Sequence, residues 1–118
     1  MGLIDSSILA AYRSLQVDGE PDFVAQLVQV FVDQGHSRIE GLRVAVQQGD
    51  REGVFRITHA LKSSAAQLGA TDLASRSAQL ERLAEQGAPM KAVARQLDVV
   101  VRAFEAASKA LTEAADSP

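Results

Sequence analysis

The 118-residue chain contains no cysteine and no tryptophan, and it has only two histidines. Without cysteine it cannot form a disulfide, use a thiolate nucleophile or bind zinc through sulfur. Two imidazoles are also too few for an imidazole-rich metal centre. We therefore predict that the protein has no metal site of its own.

The sequence also lacks a concentrated basic region and a long apolar run. Twelve basic and fifteen acidic residues give a formal net charge of −3, with no basic block that could follow a phosphate backbone. No stretch approaches the roughly 20 apolar residues of a membrane span, and the N-terminus has no signal-peptide pattern. These absences argue against nucleic-acid and membrane partners, and we expect a soluble, cytoplasmic monomer.

Helical periodicity is what the sequence does contain. Apolar residues make up 47% of the chain, alanine alone accounts for 20 residues, and apolar positions recur every three or four residues. Gly49 fits the left-handed residue after a helix, and Asp50 fits the N-cap of the next helix. N-cap residues, glycines and prolines divide the chain into five predicted helices, over about 6–15, 21–48, 51–68, 72–85 and 90–111.

Short connections between long amphipathic helices make sequence neighbours antiparallel. The expected fold class is therefore all-α, an antiparallel four-helix bundle with a short N-terminal capping helix. It forms a single domain over 1–118, with a core over about 5–111 and a tail over 113–118 that we expect to fray.

The expected core comes from the apolar positions on the inner side of each helix. The short first helix contributes Leu15 together with Ile8, Leu9 and Tyr12. Gly35, in the middle of the second helix, indicates a bend, a close helix contact or a simply tolerated glycine. The inward set of the second helix is Phe23, Leu27, Val30, Phe31, Ile39, Leu42 and Val46.

The third predicted helix has two distinct faces. At 100° per residue one stripe is wholly apolar and faces the core: Val54, Ile57, Leu61, Ala65 and Leu68. A second strip combines an apolar ring, an imidazole, one cation and small residues: Phe55, His59, Lys62, Ser63 and Ala66. Because these positions are spaced i, i+4, i+7, i+8 and i+11, they form one continuous exposed strip.

Each residue of this strip also has an ordinary structural explanation. His59 and Lys62 can be plain surface residues, and Phe55 can pack beneath the short N-terminal helix. Together, however, they suit phosphate chemistry. A neutral imidazole can hold a phosphoryl group, and Lys62 would place a positive charge on the same helix surface.

The small residues of the strip would leave room around such a group. Ser63 and Ala66 allow phosphoryl oxygens and a partner to approach, and Ser64 could form a hydrogen bond within the bundle. Phe55 would offer an apolar contact to a docking protein.

The run from His59 to Ala70 resembles the signature of histidine-containing phosphotransfer (HPt) domains. That signature has a histidine, a lysine three residues later, small residues, and Gly-Ala at the end of the helix. The resemblance extends over about residues 5–110, because the family is a four-helix bundle with this helix order.

The resemblance implies roles for individual residues. His59 matches the phospho-accepting histidine, and Lys62 matches the lysine that contacts the phosphoryl group. Ser63 stands where the family very often has glycine, and Gly69 matches the glycine at which the chain turns into the next helix. On that helix Glu81 falls at the spacing of a polar residue that neighbours the histidine.

The resemblance also implies the function. The protein would be a phosphocarrier that shuttles a phosphoryl group between aspartates of receiver domains in a multistep phosphorelay, rather than an enzyme. Its partners would be receiver domains of response regulators or of a hybrid sensor kinase. No Gly-rich nucleotide loop is present, so no cofactor is expected, and Mg²⁺ would be bound only by the partner.

Three alternatives remain open from the sequence. The chain could be the phospho-accepting domain of a chemotaxis-type histidine kinase, which an adjoining ATP-binding domain would reveal. It could instead be a helical docking module in which His59 is never phosphorylated. A hydrolytic or metal enzyme is disfavoured, because Asp33 and His36 have no second carboxylate–histidine pair to complete a site. We interpret His36 as a surface or interhelix residue.

Overall fold

The computed structural model describes residues 3–116, and this part of the chain contains five α-helices and no strand. The helices are α1 (Ser6–Arg13), α2 (Phe23–Gln47), α3 (Arg51–Gln67), α4 (Thr71–Glu85) and α5 (Met90–Asp116). The prediction of an all-helical protein with five helices in this order is therefore confirmed.

Aspartate side chains start the first three helices. The side chains of Asp5, Asp22 and Asp50 accept hydrogen bonds from backbone N–H groups of the first turn, at 2.9–3.0 Å. Each bond satisfies a donor that the helix itself leaves without a partner. The second helix, predicted from about residue 21, begins at Phe23, after the Asp22 cap.

The four long helices pack around a common core. α2 packs against α3 and α5, and α4 also packs against α3 and α5. The largest fully buried side chains come from all four of these helices and include Phe104, Leu42, Leu61, Leu73, Leu80 and Leu111. Burial of this continuous apolar interior is what holds the short connections and helix ends in place.

α1 lies against the C-terminal ends of α3 and α5. The backbone N–H of Asp5 donates to the Gly69 carbonyl at 2.7 Å, and the Tyr12 hydroxyl donates to the Gln67 carbonyl at 3.1 Å. The Arg13 guanidinium donates to the Ala114 carbonyl near the end of α5. α1 therefore joins the C-terminal ends of α3 and α5.

Gly69 is required at the end of α3 for two reasons. Its φ of +76° lies in the left-handed region, and a Cβ atom built on it would be 2.8 Å from the Asp5 carbonyl oxygen. Any side chain would strain the turn and push α1 away. The prediction that the chain turns at this glycine agrees with the structure.

Gly35 marks a close contact between helices and does not interrupt α2. A Cβ atom at this position would lie 2.1 Å from Cε1 of Phe104 on α5. The neighbouring His36 is exposed, and its ring meets the edge of Phe104 with centroids 5.3 Å apart. The interpretation of His36 as a surface and interhelix residue agrees with this contact.

Two residues assigned to the core do not lie there. Val30 is 52% exposed and Leu15 is 62% exposed, whereas Ile57 is partly buried and packs against the core. Leu15 lies beyond the end of α1. In the first half of α2 the buried positions include Val24 and Val28, and Val30 lies on the other side of the helix. In α3, Thr58 is fully buried on the same face as Val54 and Leu61. A pattern of apolar residues does not include Thr58, because its side chain carries a hydroxyl group.

The last helix includes residues 113–116 of the predicted tail. α5 continues to Asp116, Ala115 is buried, and the carbonyl of Ala114 accepts the hydrogen bond from Arg13. Contact with α1 thus extends the last helix beyond the expected core boundary at 111. Residues 117 and 118 lie outside the described part of the chain.

Candidate functional site

The exposed strip of α3 forms as the sequence predicts. His59, Ser63 and Ala66 are exposed, whereas Phe55 and Lys62 are partly covered. The side chain of His59 retains 58% of its accessible surface, so its ring is open to a large partner. Helical geometry thus places the imidazole, the cation and the small residues on one surface.

Glu81 of α4 joins the two chemically active side chains of this strip. One carboxylate oxygen, Oε2, lies 2.6 Å from Nδ1 of His59, and the other, Oε1, accepts a hydrogen bond of 2.6 Å from Nζ of Lys62. The Glu81 side chain is only 12% exposed, so it makes both contacts from the groove between α3 and α4. The sequence prediction that Glu81 neighbours His59 agrees with this geometry.

The surroundings of Glu81 keep its carboxyl group ionised. Burial by itself raises the pKa of this group, but the hydrogen bonds from Lys62 and His59 and the nearby positive charge of Lys62 outweigh burial and lower the pKa below its usual value. The ionised carboxylate therefore stabilises this cluster at neutral pH. That contribution disappears as the pH falls through the lowered pKa and Glu81 takes up a proton.

The contact with Glu81 also determines which nitrogen of the His59 ring carries a hydrogen. An ionised carboxylate can only accept hydrogen bonds, so Nδ1 must carry the hydrogen that it shares with Oε2. A neutral imidazole then keeps its lone pair on Nε2, the nitrogen on the opposite side of the ring. The site consequently presents an exposed, oriented ring whose Nε2 lies on the side away from Glu81.

Phe55 lies one turn before His59 and stacks on it. The two rings are 6.2 Å apart and inclined by only 17°. Phe55 also lines a groove with Ala84 and Glu85 at the end of α4. The alternative that it packs beneath the N-terminal helix is wrong, because α1 contacts Gln67 and Gly69 at the other end of α3.

The two serines of α3 have different environments. Ser63 is exposed beside His59, whereas the hydroxyl of Ser64 accepts a hydrogen bond of 2.8 Å from Arg38 Nη1 on α2. The prediction of a bundle contact for Ser64 is thus consistent with the structure. Arg38 itself was missed, because no motif or spacing on α2 indicates which arginine reaches α3.

The site has no set of ligands for a cation. Among the residues described here, no group of three or more histidine, aspartate and glutamate side chains could hold a metal ion. Likewise, no helix between residues 3 and 116 is both long enough and apolar enough to cross a membrane. The chemically distinctive feature is therefore the cluster of His59, Lys62 and Glu81.

Comparison with known protein families assigns the chain to one of them. Residues 26–116 match the Hpt domain family, and the chain belongs to that family. Hpt domains are the histidine phosphotransfer modules of two-component phosphorelays, and they are phosphocarriers that interact with receiver domains rather than enzymes. The family match covers α3 and all of the candidate site.

A solved structure shows the same fold. The chain is similar to histidine-containing phosphotransfer protein B (HptB) from Pseudomonas aeruginosa PAO1, with a TM-score of 0.84 and 22% sequence identity. The alignment covers 94% of this chain and 92% of HptB. A search of curated proteins gave no match.

Proposed function

We propose that this protein carries a phosphoryl group on His59, which it accepts from the aspartyl phosphate of one receiver domain and donates to the aspartate of another. The observation that carries this proposal is the exposed imidazole whose Nδ1 is bound to Glu81, with Lys62 on the same carboxylate. The test is the transfer of radiolabelled phosphate from a phosphorylated receiver domain to the chain.

The transfer step follows from the orientation of the ring. The lone pair of His59 Nε2 attacks the phosphorus of the aspartyl phosphate, the N–P bond forms, and the O–P bond breaks to release the aspartate carboxylate. The ring then carries a positive charge, with the Nδ1 hydrogen still bound to Glu81. The Glu81 carboxylate therefore stabilises the phosphorylated ring, and the reverse attack by a second aspartate regenerates the neutral imidazole.

The protein itself supplies the nucleophile, its orientation and one cation. Magnesium and the remaining catalytic groups are contributed by the receiver domain, as the chain offers no acidic cluster to hold an ion within its described residues. Its partners are receiver domains of response regulators or of a hybrid sensor kinase. In this role the chain acts as a carrier, without its own ATP or Mg²⁺ site.

We also propose that the four long helices form an antiparallel bundle capped by α1. Connections of only a few residues link α2 to α3, α3 to α4, and α4 to α5. Contacts with α1 bring together the end of α3 and the end of α5. The ring of Tyr12 on α1 also meets Phe23 at the start of α2. An antiparallel arrangement accounts for all three contacts.

Replacing Lys62 by alanine is expected to slow phosphotransfer by roughly ten- to thirty-fold, which corresponds to about 1.4–2 kcal/mol of charge stabilisation in a partly exposed site. Nζ of Lys62 is bound to the same carboxylate as His59, so its positive charge is anchored on the surface that would carry the phosphoryl dianion. Transfer rates from a phosphorylated receiver domain measure the effect. Lys109→Ala, an exposed lysine on α5, is the matched control. Equal rates for Lys62→Ala and the wild type would show that Lys62 is only a surface charge.

The small size of Ser63 is expected to matter more than its hydroxyl group. Ser63 is exposed one turn after His59, where a large side chain would cover the imidazole and block the partner. Ser63→Gly and Ser63→Ala should accept phosphate nearly as fast as the wild type, whereas Ser63→Leu should be a poor acceptor. Ser75→Leu, an exposed serine on α4, controls for the added apolar surface. Unimpaired transfer to folded Ser63→Leu would contradict the steric argument.

A further inference from the structure

A shallow groove lies between the start of α3 and the end of α4, beside the candidate site. Phe55 and Ala84 form its apolar floor, and charged side chains form its rim. Its volume of about 230 Å³ is sufficient for one leucine or phenylalanine side chain. The residues that line it are Arg51, Glu52, Phe55, Ala84 and Glu85.

The groove is continuous with the phosphotransfer site. Phe55 belongs to both, because its ring lines the groove and also stacks on His59 at 6.2 Å. Along α3, Phe55 and Arg51 lie about 6 Å and about 12 Å from His59, at 1.5 Å of rise per residue. A partner that covers roughly 600–800 Å² around His59 reaches about 14–16 Å from its centre. Any domain whose aspartate meets His59 from this side therefore also covers the groove.

One atom of Arg51, a residue that lines the groove, is a buried donor without a hydrogen bond within the described residues. That atom is Nη1. A buried donor without an acceptor is unfavourable, and it becomes satisfied when an acceptor is brought to it. A carbonyl or carboxylate oxygen next to an apolar side chain of the partner would supply that acceptor after a small rotation of the guanidinium.

Receiver domains share the chemistry of their phosphorylated aspartate, so the reaction at His59 cannot by itself distinguish one receiver from another. Discrimination must come from contacts outside the reacting groups. We propose that this groove is a specificity pocket for the partner receiver domain: it accepts one apolar side chain of the receiver, flanked by a hydrogen-bond acceptor for Arg51. This inference rests on the proposed phosphotransfer function.

The test blocks the groove while leaving His59 and its partners unchanged. In Glu85→Trp, a large side chain on the rim covers the apolar floor. Glu105→Trp is the matched control, since Glu105 is exposed on α5. Both variants and the wild type are titrated with a phosphorylated receiver domain that transfers to the wild type, and phosphoramidate serves as a small donor that needs no docking surface.

The proposal predicts that Glu85→Trp raises the half-saturating receiver concentration by about ten-fold, with the maximal rate within two-fold of wild type. Phosphorylation by phosphoramidate and all rates of Glu105→Trp should be unchanged. Arg51→Met, which keeps the apolar stem of the side chain, should raise the half-saturating concentration about three-fold and provides a second variant should Glu85→Trp fold poorly. Unchanged half-saturation in folded Glu85→Trp, or in Arg51→Met, would overturn the pocket but leave the phosphotransfer function standing. If no receiver domain phosphorylates the wild type, the proposed function fails and the pocket fails with it.

Discussion

His59→Gln is expected to abolish acceptance of phosphate from a receiver domain while leaving the fold intact. Glutamine has no nucleophilic ring nitrogen, so no N–P bond can form. Its amide can still donate to Glu81 in place of Nδ1, which keeps the buried carboxylate hydrogen-bonded. Because the His59 side chain is 58% exposed, the melting temperature should remain close to that of the wild type.

The other histidine supplies the control for this variant. His36 is exposed and contacts the ring of Phe104, whereas the ring of His59 contacts Glu81, which also binds Lys62. His36→Gln should therefore accept phosphate at the wild-type rate. Labelling that persists in His59→Gln, or that disappears in His36→Gln, would show that the acceptor has been assigned to the wrong residue.

Gly35→Ala is expected to destabilise the protein although alanine is the better helix former. The added Cβ would lie 2.1 Å from Cε1 and 2.4 Å from Cζ of Phe104, whose ring is buried. Overpacking of this kind costs about 1–3 kcal/mol, and at the upper end of that range it exceeds the roughly 1 kcal/mol gained in helix propensity. A net loss of about 2 kcal/mol should lower the melting temperature by about 10 °C.

Two further variants separate overpacking from other effects at Gly35. Gly41→Ala is the matched control on the same helix, because its Cβ would meet only the flexible end of Ile57, at 3.2 Å. Its melting temperature should change much less. Phe104→Leu, which removes the ring, should make a second substitution at Gly35 far less harmful. A Gly35→Ala protein as stable as the wild type would contradict a tight α2–α5 contact.

The sequence predicted helices better than it predicted which side of each helix is buried. Glycine and aspartate mark helix ends through local backbone preferences, and the observed boundaries lie close to those marks. Val30 was assigned to the core of α2 but is exposed, since several registers of a long, mostly apolar helix satisfy the same periodicity. Thr58 is fully buried despite its hydroxyl. Its burial results from packing against the other helices, which the sequence pattern of α3 alone does not show.

The candidate site was predictable where its residues share one helix. Phe55, His59, Lys62 and Ser63 form a strip because of the geometry of α3 alone. The position of Glu81 came from the resemblance to a family, as nothing on α4 itself indicates which carboxylate faces α3. Contacts between helices, such as Arg38 with Ser64, depend on the relative positions of two helices and leave no pattern in the sequence of either one.

Locating the phosphate on the wild-type protein would show whether His59 is the acceptor. The chain is incubated with a phosphorylated receiver domain, digested under neutral conditions, and the modified peptide is sequenced by mass spectrometry. We expect a single acid-labile phosphoryl group on His59, attached to Nε2, because Glu81 binds Nδ1. A phosphoryl group on His36, on a serine or on an aspartate, or no transfer from any receiver domain, would contradict this assignment.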